Sequence, residues 1–120
     1  MDKHKRDHLF RQGVEAFNSE RFFAAHEFWE EVWLDTPAPD KAFLQGLIQV
    51  AAGFHHYTRA NRRGARHLLE AGVAKLERFP AVHWGLDVES CRDSARQWLA
   101  ALAAGNEPIA APLPRIQCSG

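Results

Sequence analysis

The sequence predicts an all-α domain, a compact five-helix bundle with a central, buried third helix. Three observations predict it. Apolar residues recur at helical spacing in five successive stretches, with no strand between them. The stretches end at breaking signals: Asn18-Ser19, Thr36-Pro37-Ala38-Pro39, Asn61 with Gly64 close behind, and Pro80. Finally, Ala42 to Thr58 contains no Asp, Glu, Lys or Arg. That run is short for a membrane span and holds Gln45, Gln49, His55 and His56, so a helix packed on more than one side is expected instead.

The first helix is expected from about His4 to Phe17, with Leu9, Phe10, Gly13, Val14 and Phe17 on one face. Asn18 and Ser19 break it and are suited to cap the second helix, from about Glu20 to Asp35. Thr36 and Pro37 read as an N-cap and first-turn pair for the third, about Pro39 to Ala60. The fourth, about Arg63 to Phe79, turns Ala65, Leu68, Leu69, Val73 and Leu76 inward. A loop follows whose Trp84 and Leu86 fold back on the core. Asp87 then caps a fifth helix with Val88, Cys91, Ala95, Trp98, Leu99 and Leu102 on one face.

The chain has 120 residues, enough for about one domain and one core. Residues 1–104 form that domain in this reading. Residues 105–120, with Pro108, Pro112 and Pro114, form a flexible Pro-rich tail. A hydrophobic fraction of 46% excludes a disordered chain. Lys plus Arg and Asp plus Glu are both 15, so net charge points to no nucleic-acid or membrane partner. The charged start lacks the apolar run of a signal peptide, and Cys91 with Cys118 make no disulfide framework. A cytoplasmic protein is expected.

The candidate site lies in Phe22-Phe23-Ala24-Ala25-His26-Glu27-Phe28-Trp29-Glu30-Glu31-Val32-Trp33. At about 100° per residue, Phe22, Trp29 and Trp33 share the apolar face. His26 and Glu30 sit at its edge, while Glu27 and Glu31 point to water. The short Thr36–Pro39 link makes an antiparallel hairpin of helices two and three. Its register sets Glu30 opposite Gln45 and His26 opposite Gln49, beneath a lid of Trp29 and Trp33. On the third helix His56 continues the Gln45 and Gln49 stripe, and His55 that of Leu44, Ile48 and Ala51. His55 is expected to be buried and to titrate below its ordinary value.

Such a polar cluster has three readings: a closed seam that fixes helix register, a ligand pocket, or a metal site. His26 and Glu30 at i, i+4 can share an ion. Yet His-Glu-x-x-Glu is not the His-Glu-x-x-His helix of zinc proteases. Gln45 and Gln49 stand where di-iron bundles need carboxylates, and amides are poor zinc or iron ligands. No metal and no cofactor are therefore expected. As chemistry, His26 could be a base oriented by Glu30, but no nucleophile stands nearby.

Phe17-Asn18, Ala25-His26-Glu27-x-x-Glu30-x-x-Trp33, Phe43-Leu44-Gln45-Gly46-Leu47-Ile48-Gln49-Val50-Ala51-Ala52 with His55, and Gly85-Leu86-Asp87 carry a resemblance. Over about Leu9 to Leu102 the chain resembles the family called domain of unknown function 309. The resemblance implies a small all-helical fold and no established activity, substrate or cofactor. It also implies that His26, Glu27, Glu30, Trp33, Gln45 and His55 belong to the family's pattern.

The leading expectation is a binding or structural module whose ligand-binding residues are His26, Glu27, Glu30, Trp33, Gln45, Gln49 and His55. Its partner would be a small molecule or a protein, a second copy of the chain included. One alternative is a metal-dependent or hydrolase-like enzyme using His26 and Glu30. Another is a helical-hairpin module for peptide or RNA, motivated by Arg59, Arg62, Arg63, Arg66 and His67 at one corner and by a repeat-like spacing of Gly53, Ala65, Leu69 and Pro80.

Overall fold

The computed structural model describes residues 1–105 and 115–116; residues 106–114 and 117–120 lie outside the description. The element order is α1 (Lys3–Asn18), α2 (Phe22–Leu34), α3 (Asp40–Thr58), α4 (Arg62–Leu76), β1 (Val82–His83), β2 (Leu86–Asp87) and α5 (Val88–Ala103). Helix termini leave backbone groups unpaired, and side chains satisfy some of them here. Asp2 accepts from the Lys5 N–H at 2.8 Å and starts α1. Asn61 accepts from the Gly64 N–H at 2.9 Å and starts α4. Asp87 accepts from the Ser90 N–H at 3.0 Å and starts α5. Arg92 of α5 donates to the carbonyls of Leu76 and Phe79, at 2.9 and 2.8 Å, and so closes the end of α4.

Two expected caps are placed otherwise. Helix α2 begins after Arg21 with no side-chain cap, and Ser19 ends α1. Thr36 turns back, its hydroxyl donating to the Val32 carbonyl at 2.7 Å, so it finishes α2 and does not start α3. The loop after α4 holds a short antiparallel ribbon where none was expected, pairing Val82 with Asp87 and His83 with Leu86. Its two-residue turn, Trp84-Gly85, has φ of 53° and 73°. A type I′ hairpin turn, which matches strand twist, needs φ > 0 at both positions, and Gly85 adopts this without strain.

The core is one cluster drawn from all five helices. As expected, α3 is central: Phe43, Leu44, Leu47, Ile48, Val50, Ala51 and Phe54 are buried around its circumference. It packs against both α2 and α4. Contacts at both ends make α2 and α3 antiparallel. The Phe23 ring lies 5.3 Å from His55, and the Lys41 ammonium 4.1 Å above the Trp33 ring. Helices α3 and α4 meet at glycines. A Cβ on Gly72 would stand 2.9 Å from the Gly46 carbonyl oxygen, so only bare backbone fits. Among the described residues no helix is long and apolar enough to cross a membrane.

Candidate functional site

His26 and Glu30 meet directly, as their i, i+4 spacing predicts: Nε2 lies 3.0 Å from Glu30 Oε2. The rest of the expected seam is arranged differently. Gln49 faces α4, its Oε1 accepting from Lys75 Nζ at 3.0 Å, and not His26. Gln45 is half-buried and, among the described residues, has no hydrogen bond to Glu30. Trp29 is no lid. It is fully buried against α1, its indole N–H donating to the Phe10 carbonyl at 3.2 Å. The space comes from Gly13, where any Cβ would overlap the indole. Trp33 is half-buried under Lys41, at the far end of the hairpin from His26.

Glu30 was expected at a buried edge, and its side chain is 51% exposed. An exposed i, i+4 pair contributes well under ~1 kcal/mol, so Glu30 is not a stability determinant. What α2 presents is an open groove of about 280 Å³, lined by Phe23, His26, Glu27, Glu30, Glu31 and Leu34. These positions recur along one helical stripe. Phe23 and Leu34, at its two ends, are 52% and 64% exposed. Large apolar side chains so exposed at both ends of one stripe are a reason to look for a partner. Glu27 and Glu31 point outward as the wheel predicts, and among the described residues no cation pairs with either.

The Phe23 ring covers the inner end of the groove. It stacks on His26 with centroids 5.7 Å apart and 26° between planes, and it also touches His55. His26 Nδ1 is buried there without a partner. A catalytic base must bring its free nitrogen within hydrogen-bond reach of the substrate. Here the nitrogen without a partner faces protein, and the one toward the groove is held by Glu30. His55 is half-buried rather than fully enclosed. Desolvation under Phe23, helped by the charges of Arg59, His56 and His26, holds its pKa below the ordinary histidine value. His56 is turned to the end of α3, its Nδ1 3.1 Å from Asn61 Nδ2, and not into a seam.

Burial pushes the Cys91 thiol up to about 12. Cys118 lies outside the described residues. Among the described residues no group of three or more His, Cys, Asp or Glu side chains is arranged to hold a metal ion. At the basic corner, Arg66 is paired with Glu70 at 3.1 Å. One polar cluster escaped the sequence reading. His83 Nε2 lies 2.8 Å from Asp40 Oδ1, the Trp84 indole donates to Asp40 Oδ2 at 3.4 Å, and Arg6 lies 4.8 Å over the Trp84 ring. Its members come from α1, the start of α3 and the ribbon. The only local sign was the turn-forming Trp84-Gly85, and the cluster fastens the ribbon to the bundle.

Comparison with known proteins adds no reaction. The chain is 34% identical over 65 residues to "Uncharacterized protein YpuF" of Bacillus subtilis (strain 168), which covers 53% of the chain and 37% of that protein. It is 26% identical over 101 residues to an uncharacterized protein of Aquifex aeolicus (strain VF5), which covers 83% of the chain and 30% of that protein. The chain thus spans about a third of the length of these relatives. The matched family segment runs from α1 into α4 and contains the whole α2 groove; Gly85-Leu86-Asp87 falls beyond it. Over residues 10–68 the chain matches the family described as Domain of unknown function (DUF309).

Proposed function

We propose that this chain is a cytoplasmic binding module that docks a basic amphipathic helix of a partner protein along the outward face of α2. The groove on α2 carries the reading. Phe23 and Leu34 are about 11 residues apart, roughly 16 Å along the axis at 1.5 Å per residue. Between them stand three carboxylates, those of Glu27, Glu30 and Glu31. A helix laid in such a groove is read through apolar anchors at helical spacing. Its anchors would be two aliphatic or aromatic residues at matching separation, with Lys or Arg between them. His26 and His55 hold Phe23 in place from behind. A reducing compartment suits Cys91, which is a free thiol.

The test is fluorescence anisotropy with a labelled synthetic Leu/Lys amphipathic helix as probe. Binding is expected to weaken as salt rises. Glu27→Lys with Glu31→Lys should weaken it at least about tenfold, or ~1.4 kcal/mol. Leu34→Asp should do the same, whereas Glu15→Lys on exposed α1 should leave it unchanged. No binding at about 100 µM protein, or equal binding by all variants, overturns the reading. Sedimentation of the unliganded chain as a dimer, broken by Leu34→Asp, would also overturn it by making a second copy the occupant.

A further inference from the structure

The end of α1 holds a contact that neither the α2 groove nor the helix packing explains. Asn18 Nδ2 donates to the Ile116 carbonyl at 2.9 Å, and Asn18 Oδ1 accepts from the Ile116 N–H at 2.7 Å. The two residues are 98 apart in sequence. The Ile116 side chain is 2% exposed and joins the hydrophobic core, while Arg115 beside it is exposed. Most of the expected flexible tail lies outside the described residues, but Ile116 is held at both its backbone and its side chain.

The chemistry is that of strand pairing reduced to one residue. A primary amide carries a donor and an acceptor on one planar group. In an antiparallel ladder a residue exchanges both its N–H and its C=O with the residue opposite. The Asn18 amide makes the same exchange with Ile116. Main-chain hydrogen bonds of this kind give affinity without reading sequence, and the buried neighbour supplies specificity. Any segment with free N–H and C=O on one side and an aliphatic side chain beneath would satisfy the same groups.

We infer that the C-terminal end of α1 is a capture site for an extended peptide bearing an aliphatic residue, and that the chain's own Ile116 is its resident ligand. This does not rest on the reading of the α2 groove. Ile116 belongs to the same chain, so its contact with Asn18 is intramolecular and competes with any incoming segment. A segment from elsewhere therefore enters only by displacing it, so the site is self-blocked until such a competitor arrives.

The experiment uses the full chain carrying Ile116→Ser, which empties the side-chain position and leaves the backbone. The probe is a fluorescein-labelled synthetic peptide of residues 112–120. It is expected to bind the Ile116→Ser chain at least about tenfold more tightly than the wild-type chain. The same peptide with serine replacing its isoleucine should not bind. Adding Asn18→Asp to the Ile116→Ser chain should weaken binding at least about tenfold. The carboxylate keeps an acceptor for the N–H but opposes the carbonyl. Should Asn18→Asp fail to fold, the two peptides on the Ile116→Ser chain still decide. Equal binding of both peptides, equal binding by both chains, or no binding at all overturns the inference.

Discussion

The α1–α2 and α3–α4 corners are one turn built twice from different residues. In each the helix ends with the same pair of bonds. Arg21 N–H donates to Ala16 and Glu20 N–H to Phe17 in the first corner; Asn61 donates to His56 and Ala60 to Tyr57 in the second. Both turns place a non-glycine residue in the left-handed region, Glu20 and Ala60, each with φ of 62°. The next residue leads straight into the following helix with nearly equal dihedrals, φ −93° and ψ 69° at Arg21 against φ −99° and ψ 79° at Asn61. Yet Asn61 caps its helix and Arg21 does not. The amide of the first corner stands three residues earlier, at Asn18, and holds Ile116. Identical backbone thus supports two uses of one side-chain type: finishing a helix, or gripping another part of the chain.

The largest expected effect separates how the two hairpins pack. Gly13→Ala sets a methyl group into the Trp29 indole, which is enclosed and bonded to Phe10. Overpacking of this kind costs about 1–3 kcal/mol, more than the roughly 1 kcal/mol that alanine gains in a helix. A lowered melting temperature is expected; an unchanged or raised one would show that α1 sits elsewhere on α2. The next effect exchanges the two corners. Asn61→Ala should lose about 1 kcal/mol with its cap, and Arg21→Asn should gain about 0.5–1 kcal/mol by capping the Ala24 N–H. Urea unfolding measures both, and a neutral Arg21→Asn would mean that the two corners are not equivalent. The smallest effect is on the turn residues. Glu20→Gly and Ala60→Gly relieve left-handed strain of about 1–2 kcal/mol and loosen the unfolded chain by about 0.5–1 kcal/mol, a net gain near 0.5 kcal/mol. A loss in either variant would show that its side chain holds the corner.

The second corner was also the more legible in sequence. Asn61 with Gly64 marks it, and Asp87 marks the start of α5, because these caps bind residues three positions away. The His26–Glu30 contact was legible for the same reason, lying within one turn of one helix. A helical wheel fixes the angle of a side chain about its own axis, and so it placed Glu27 and Glu31 outward correctly. It does not say which neighbour occupies each side. The wheel therefore makes Trp29 a lid over the seam of helices two and three, whereas α1 receives it, and sets Gln49 against His26, whereas Lys75 of α4 holds it. Glu30 sits at the margin of the apolar arc, where a small rotation decides between core and water. His83 with Asp40, and Asn18 with Ile116, join parts of the chain 43 and 98 residues apart, and no local pattern announces them.

The bond from Trp29 to Phe10 also makes a clock. Trp29 is wholly enclosed, and its indole hydrogen bridges α2 to α1. Deuterium cannot reach that hydrogen while the two helices lie together, and fraying at either helix end leaves it covered. Its exchange rate therefore counts the openings of the hairpin itself, with a single resonance timing an event that involves some thirty residues.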